Sequence, residues 1–383
     1  MVSAVRCGIS QRAVARQFRV SLSTVQYWVH RAAGKRLDRV DWTDRPSIPR
    51  RTRRTVRAIE DTVVTVRREL KEASVLGEYG APAIRDELHR RDMATVPSVR
   101  TIGRILLRRG VLEGCPRVRR PAPPPGWYLP EVAQGHAELE SFDVIEGLVI
   151  LHGPQVDVLT SITLHGGEPD AWPTEGLTAR LIADLLVSHW RVVGLPAYAQ
   201  FDNETRFHGP HHYPDVISRV VRVCLSLGVT PVFVPPQEMG FQAAIESFNG
   251  RWQAKVWARF HHESLAALQD RSATYGATAR ARTTARREGA PARRPFPRHW
   301  RFNAHAPLRG RLVFLRRTNA RGAVSLLGHT FEVARLWPHR LVRCEVDLDV
   351  NRIRFYALRS RTPARQPLRK EIRHALPTHQ ETT

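Results

Sequence analysis

AYAQFDNETRF (197–207) and GFQAAIESFNGRW (240–252) are the two stretches on which the fold turns. The first is an apolar run that breaks at Asp202 and Asn203, as a short central strand does where it leaves the core. In the second, Ile245, Phe248 and Trp252 recur at i, i+3 and i+7, one stripe of a helix, and Glu246 stands about 100° away from that stripe. Working outward, HAELESFDVIEGLVIL (136–151) and QVDVLTSITLHGG (155–167) read as two pairing strands, with Glu146-Gly147 taken as a turn. LTARLIADLLVSHWRVVG (177–194) reads as a helix burying Leu181, Ile182, Leu185, Leu186 and Trp190. DVISRVVRVCLSLG (215–228) is a second helix, VTPVFVPP (229–236) a strand, and residues 241–260 a closing helix. Strands separated by helices predict a mixed α/β sheet. Such sheets place ligands beyond the carboxyl ends of their strands, where Asp202 falls. Carboxylates at a strand end and on a helix are suited to holding divalent cations against a phosphodiester.

The charge distribution points to the same chemistry. The chain of 383 residues has a net charge of +24, which calls for a polyanionic partner, nucleic acid first. Residues 1–125 carry 27 Lys and Arg against 12 Asp and Glu, residues 126–290 carry 13 against 18, and residues 291–383 carry 20 against 6. An acidic middle between two basic arms separates this chain from a uniformly basic scaffold protein. Four widely spaced cysteines form no CxxC pair and imply neither a disulfide framework nor a zinc knuckle. No run of about 18 apolar residues predicts a membrane span, and a cytoplasmic, nucleoid-associated protein without membrane partners is expected.

The arms have recognisable organisation. In SQRAVARQFRVSLSTVQYWVHRA (10–32), Ala13, Val14 and Phe18 face Val25, Trp28 and Val29 across a tight turn holding Arg19, with Ser21 or Ser23 as a cap. A helix-turn-helix of this kind (domain 1–50) would send Ser23, Thr24, Gln26, Tyr27 and His30 toward DNA. A second, winged-helix-like unit (51–116) has Ile84 and Leu88 on one helix and Ile102, Ile105 and Leu106 on the next, with Arg100, Arg104, Arg108 and Arg109 along its polar face. RVRRPAPPPGWYLP (117–130) breaks all periodicity and predicts an extended linker over 117–135. After the α/β region (136–290), RLVFLRR, AVSLLG, HTFEVAR, LVRCEVDL and RIRFYALR predict five short strands forming a small barrel over 300–360, followed by a polar tail, 361–383.

Residues 136–260 resemble the catalytic core of the DDE transposases and retroviral-type integrases: FDN (201–203) matches the family's second-Asp motif and AIESFN (244–249) its Glu motif. With two helix-turn-helix units before the core and a barrel after it, the order of parts resembles a bacterial insertion-sequence transposase. The resemblance implies a ribonuclease-H-like core using two Mg²⁺ or Mn²⁺ ions. Water would cut the element's ends, and the freed 3′-hydroxyls would attack target DNA. It also implies double-stranded DNA partners, namely terminal inverted repeats and target, and a homo-oligomer, because two ends must be joined.

The family's first Asp is open to two assignments. Counted from the Glu146-Gly147 turn, the matching position is Glu140; Asp143, three residues on, alternates to the other face and serves if the register shifts. A glutamate's extra methylene would move a metal by about 1 Å, a displacement that costs on the order of 10²-fold in rate. The alternative is therefore a catalytically weak or inactive remnant that only binds DNA. A repair nuclease has no use for two helix-turn-helix units. The separation of Asp202 and Glu246 is wider than the family's commonest spacing, the excess lying in HGPHHYPD (208–215); His208, His211 and His212 there read as loop residues rather than zinc ligands. Asn249, Gln253 and Lys255 are candidates for touching DNA ends.

Overall fold

The computed structural model describes residues 1–44, 55–112, 125–209, 213–238, 240–359 and 364–376, divided into two units, Met1–Glu60 and Asp61–Thr383.

In the first unit, helices α1 (Val2–Arg6), α2 (Gln11–Gln17) and α3 (Leu22–Ala32) precede a single 3₁₀ turn, Leu37–Arg39. The side chains of Ser10 and Ser21 accept from the backbone N–H of Ala13 and Thr24, capping α2 and α3. Val14, Ala15 and Val25 are buried between these helices. Phe18, expected on the packed face, is 46% exposed: α2 stops at Gln17, so Phe18 falls outside the helical stripe and Ala15 takes its place. Arg19 makes the turn at φ +52, a left-handed conformation that glycine would adopt without strain. Arg6 Nη2 donates to the carbonyls of Ala32 (2.6 Å) and Lys35 (2.8 Å), tying α1 to the end of α3.

Helix α4 (Arg57–Ala73), to which no element is assigned from the sequence, packs with α5 (Ala81–Arg90) and α6 (Val99–Arg108). Val63, Val66, Ile84, Leu88, Ile102, Ile105 and Leu106 form their shared core. No strand accompanies the three helices among the described residues, so no wing is present there. Residues 113–124, with the first part of the predicted linker (117–124), lie outside the described residues. The linker's remainder is packed rather than extended: Trp127, Tyr128 and Leu129 are buried, and the short helix α7 (Pro130–Ala133) follows.

Strands β1 (Leu139–Val149), β2 (Gln155–Thr163) and β3 (Pro169–Thr174) form an antiparallel meander, and β4 (Tyr198–Phe201) and β5 (Thr230–Phe233) add in parallel on the other side of β1. Between them lie α8 (Ala179–Val193), α9 (Thr205–His208) and α10 (Arg219–Ser226). After β5 come α11 (Ala243–Trp252), a π turn over Gln253–Trp257, α12 (Leu265–Arg282) and α13 (Thr284–Glu288). A mixed sheet with helices on both faces agrees with the expected ribonuclease-H-like α/β core. On one face Phe142, Phe201 and Phe233 pack with Ile182, Leu186 and Trp190 of α8 and Val220 and Val221 of α10; on the other, Ile145, Val156 and Val158 pack with Ile245, Phe248 and Trp252 of α11 and Leu268 and Tyr275 of α12. Glu146-Gly147 is not a turn: the register shifts between Ile145 and Leu148 with Gly147 at φ +73, a bulge inside a strand that runs on to Val149.

The carboxyl-terminal strands form no self-contained barrel among the described residues. β6 (Arg311–Arg317) pairs in parallel with β5, and β9 (Leu341–Asp347), β10 (Arg352–Ala357) and β11 (Leu368–Arg373) continue outward, giving one nine-stranded sheet, β11-β10-β9-β6-β5-β4-β1-β2-β3. Among the described strands, β7 (Ala323–Leu326) and β8 (His329–Glu332) pair apart from it. The reason is an open edge: β5 has a free side, and Val313 and Phe314 meet Val232 and Phe233 there. β11 lies in the segment read from the sequence as a polar tail; Glu371 bridges Arg352 and Arg354 of β10, and Ile372 packs on the core. No helix among the described residues is long and apolar enough to cross a membrane.

Candidate active site

β1 presents alternate residues to opposite faces, and this decides the surroundings of its two acids. Glu140 and Phe142 face α8; Ser141 and Asp143 face the side that α11 covers. The parallel register pairs Glu140 with Ala199 and Ser141 with Gln200, and extending it two residues brings Asp143 level with Asp202. Ser141 Oγ donates to Gln200 Oε1 (2.8 Å) on this face.

Glu140 is fully buried, with His189 Nε2 at 2.7 Å, Trp190 Nε1 donating at 2.9 Å and Arg293 Nη2 donating at 2.5 Å. Burial alone would raise its pKa, but the Arg293 charge, His189 and the Trp190 hydrogen bond together hold the carboxyl well below the ordinary range. In this geometry both oxygens of Glu140 already have partners on the α8 face. Counting from Glu146-Gly147 as a turn is what selected this residue.

Asp143 is in the opposite condition. Asn249 Nδ2, from α11, donates to Oδ2 at 2.8 Å, and the Val144 backbone N–H donates to Oδ1 at 2.9 Å. Burial pushes its pKa up to about 6; the Val144 hydrogen bond opposes the shift, while the charges of Asp202, Glu246 and Glu204 add to it. Three acids of like sign thus act on one half-buried carboxyl. Asp202, just past β4, is also raised, by burial first and by Glu146, against the Glu204 backbone N–H (3.0 Å) and Arg206. Glu246, in the first turn of α11, is exposed. Among the described residues the trio is not drawn together: the one set of three metal-capable side chains with ligand atoms all within 4.8 Å is Asp215, His329 and His374.

Two residues around this site, Arg206 and Arg316, have no evident sequence signal. Arg206 forms ion pairs with Glu146 and Glu204 and lies 3.7 Å from Asp157. Asn203 Nδ2 donates to the Val234 carbonyl (2.6 Å), and Arg316 Nη2 donates to Asn203 Oδ1 (2.8 Å). Arg316 comes from β6, more than a hundred positions away, and burial lowers its pKa to about 10. It braces the loop that carries Asp202.

On α3, Ser23, Gln26, Tyr27 and His30 are exposed and Thr24 is half-buried beside Ser21. On α6, Arg100, Arg104 and Arg108 are exposed, while Arg109 Nη2 donates to Asp61 Oδ1 at 2.5 Å. Lys255 is engaged elsewhere than at a DNA end, its Nζ donating to the Gly77 carbonyl (3.0 Å) and lying 5.4 Å from the Tyr79 ring. Gln253 is exposed in the π turn. His208 is buried against Phe233 and Phe314, so it packs rather than coordinates; His211 and His212 lie outside the described residues.

No protein-family model matches the chain, and no curated protein matches it. Among solved structures it is similar to the catalytic core domain of HTLV-2 integrase in complex with magnesium. The dimeric form has 11% identity, 37% of this chain and 83% of that chain covered, and a TM-score of 0.27; the trimeric form has 13%, 36%, 82% and 0.27. It is also similar to the catalytic core domain of BIV integrase, with 17% identity, 37% and 82% covered, and a TM-score of 0.26.

Proposed function

We propose that this chain is a DNA-strand transferase of the bacterial insertion-sequence transposase kind, cutting element ends and joining their 3′-hydroxyls to target DNA, with Asp143, Asp202 and Glu246 as its metal-holding carboxylates. The observation that carries the reading is the burial and like-charge repulsion concentrated on Asp143. Such an arrangement costs stability and is relieved by a cation. The donor set fits Mg²⁺ or Mn²⁺, being carboxylate oxygens from within β1, from just past β4 and from α11. Asn249 Oδ1, on the amide that orients Asp143, is buried without a hydrogen-bond partner, an unmet acceptor beside the acids. Two such ions, when bound, supply an activated hydroxyl and neutralise charge on the leaving oxygen.

The chain's own groups do the positioning. Asn249 fixes the Asp143 carboxylate, Arg206 offsets part of the acidic field, and Arg316 with Asn203 sets the entry of the Asp202 loop. Glu140 serves the fold. The alternative of a DNA-binding remnant rests on Glu140 as the first ligand, and on this reading Asp143 takes that place. We assign to α3, through Ser23, Thr24, Gln26, Tyr27 and His30, and to α6, through Arg100, Arg104 and Arg108, the binding of terminal repeats in a helix-turn-helix manner. Phosphate contacts by these arms make affinity fall steeply with salt. Joining two ends requires at least a pair of chains.

The test uses duplexes copied from the sequences flanking the reading frame, with Mg²⁺ or Mn²⁺. Strand cleavage followed by 3′-end joining, both lost in Asp202→Asn while DNA binding persists, is the expected result. Cleavage equal in Asp202→Asn, or none by the parent chain on any flank, overturns the reading.

A further inference from the structure

We propose that Asp215, His329 and His374 bind one first-row divalent cation of the zinc class, at a site separate from the acidic trio. His329 Nε2 lies 2.9 Å from Asp215 Oδ2, and His374 Nε2 lies 2.9 Å from Asp215 Oδ1. The three residues come from three segments: the loop before α10, the start of β8, and the chain just past β11. Each is held by its surroundings. The Asp215 backbone N–H donates to the Leu327 carbonyl (3.0 Å), with Asp215 in a left-handed conformation at φ +62, and the His374 N–H donates to the Asn351 carbonyl (3.0 Å). The two imidazoles stand 5.1 Å apart and both pack on Phe331, at 5.9 and 5.5 Å between ring centroids. A buried carboxylate with two imidazole nitrogens aimed at it is thus preformed.

Zinc takes nitrogen and oxygen ligands at about 2.0–2.2 Å, which separates neighbouring ligand atoms in a tetrahedron by roughly 3.3–3.5 Å. Opening the two 2.9 Å contacts by a few tenths of an ångström admits the ion. Imidazole donors favour zinc, cobalt or nickel, whereas the all-oxygen trio favours magnesium or manganese. The His329 side chain is 38% exposed and provides the entry path. Loading requires each Nε2 to face the cation unprotonated, its ring proton on Nδ1, and three protein ligands leave one position for water. The ion would fasten the β7–β8 hairpin and the segment after β11 to the loop before α10. Without it, the same residues form a hydrogen-bonded His–Asp–His bridge, which is the rival account.

The experiment uses the full chain carrying Asp202→Asn and Glu246→Gln, so that the acidic trio does not compete. Titrated with Co²⁺, this parent is expected to bind one equivalent with the visible bands of nitrogen and oxygen ligation, to release it to Zn²⁺, and to melt several degrees higher with Zn²⁺. His329→Gln or His374→Gln should weaken binding by at least about 100-fold, beyond the usual loss on removing an outer hydrogen-bond partner, with far-UV dichroism reporting the fold. His329, the most exposed of the three, is the variant read first. A parent that binds no stoichiometric Co²⁺ or Zn²⁺ overturns the proposal whatever the variants do, as does undiminished binding by a folded His329→Gln protein.

Discussion

Glu140 and Asp143 sit three residues apart on one strand, and their fates are opposite. Glu140 is sealed on the α8 face with a guanidinium, an imidazole and an indole N–H around it, and is held ionised. Asp143, on the α11 face, has one amide and one backbone donor and is surrounded by further acids. A carboxylate compensated within the chain works for the fold; one left uncompensated has a place for an outside cation. Strand alternation alone separates the two.

The contrast breaks first by substitution. Asp143→Asn should lower Mg²⁺-dependent cleavage by at least about 10³-fold, since a ligand charge is lost from the transition state, with salt-dependent DNA affinity unchanged in a filter or anisotropy assay. Asp143→Asn with full activity would leave the two acids without distinct roles. Glu140→Ala should cost about 3–5 kcal/mol of stability, because Arg293 and His189 are left buried without their partner, read as a shift of the denaturant midpoint. Its cleavage per folded molecule should stay near that of the parent chain, so a selective loss of activity would reverse the assignment.

The comparison sharpens with pH. The folded state holds the Asp143 proton up to about pH 6 and the unfolded chain releases it in the ordinary aspartate range, so between them the folded state binds more protons. Without a cation, stability therefore falls as pH rises through that window. Cation affinity runs the other way, dropping by about tenfold per unit below pH 6 as the proton competes; isothermal titration with Mn²⁺ at pH 5 and 7 measures it. Smallest, Asn249→Ala should reduce cleavage by roughly tenfold and move the apparent pKa of cation binding upward, as a hydrogen bond to the charged form is removed.

Much of the core was legible because its signals are local. The α8 stripe, the break at Asp202, and Ile245, Phe248 and Trp252 each announce themselves within a few residues. What escaped was set by distance or masked by composition. β3 carries Pro169 and Pro173, which argue against a strand, yet it is an edge strand where a missing N–H is tolerated. α12 is rich in Arg and Ala and resembles a basic connector, although Ser272 bonds both Trp252 and the Ala171 carbonyl. The choice between Glu140 and Asp143 stayed open in the sequence because glycine serves turns and bulges alike, and only the β1–β2 pairing tells which. Arg316 has no local mark at all; its contact with Asn203 exists only once β6 has reached β5.

That pairing of β5 with β6 also governs how this protein can be taken apart. A fragment ended near residue 290, where the α/β region gives way to the basic segment, would strip β5 of its neighbour and leave Phe233 and a row of backbone donors and acceptors at a bare sheet margin, a template for self-association. It would also remove Arg293 from Glu140 and Arg316 from Asn203. Residues 233 and 314 must meet across some eighty intervening positions before the margin closes, a long-range closure that delays folding. During synthesis the acidic site would thus acquire its brace only after β6, more than a hundred positions beyond Asn203, has been made.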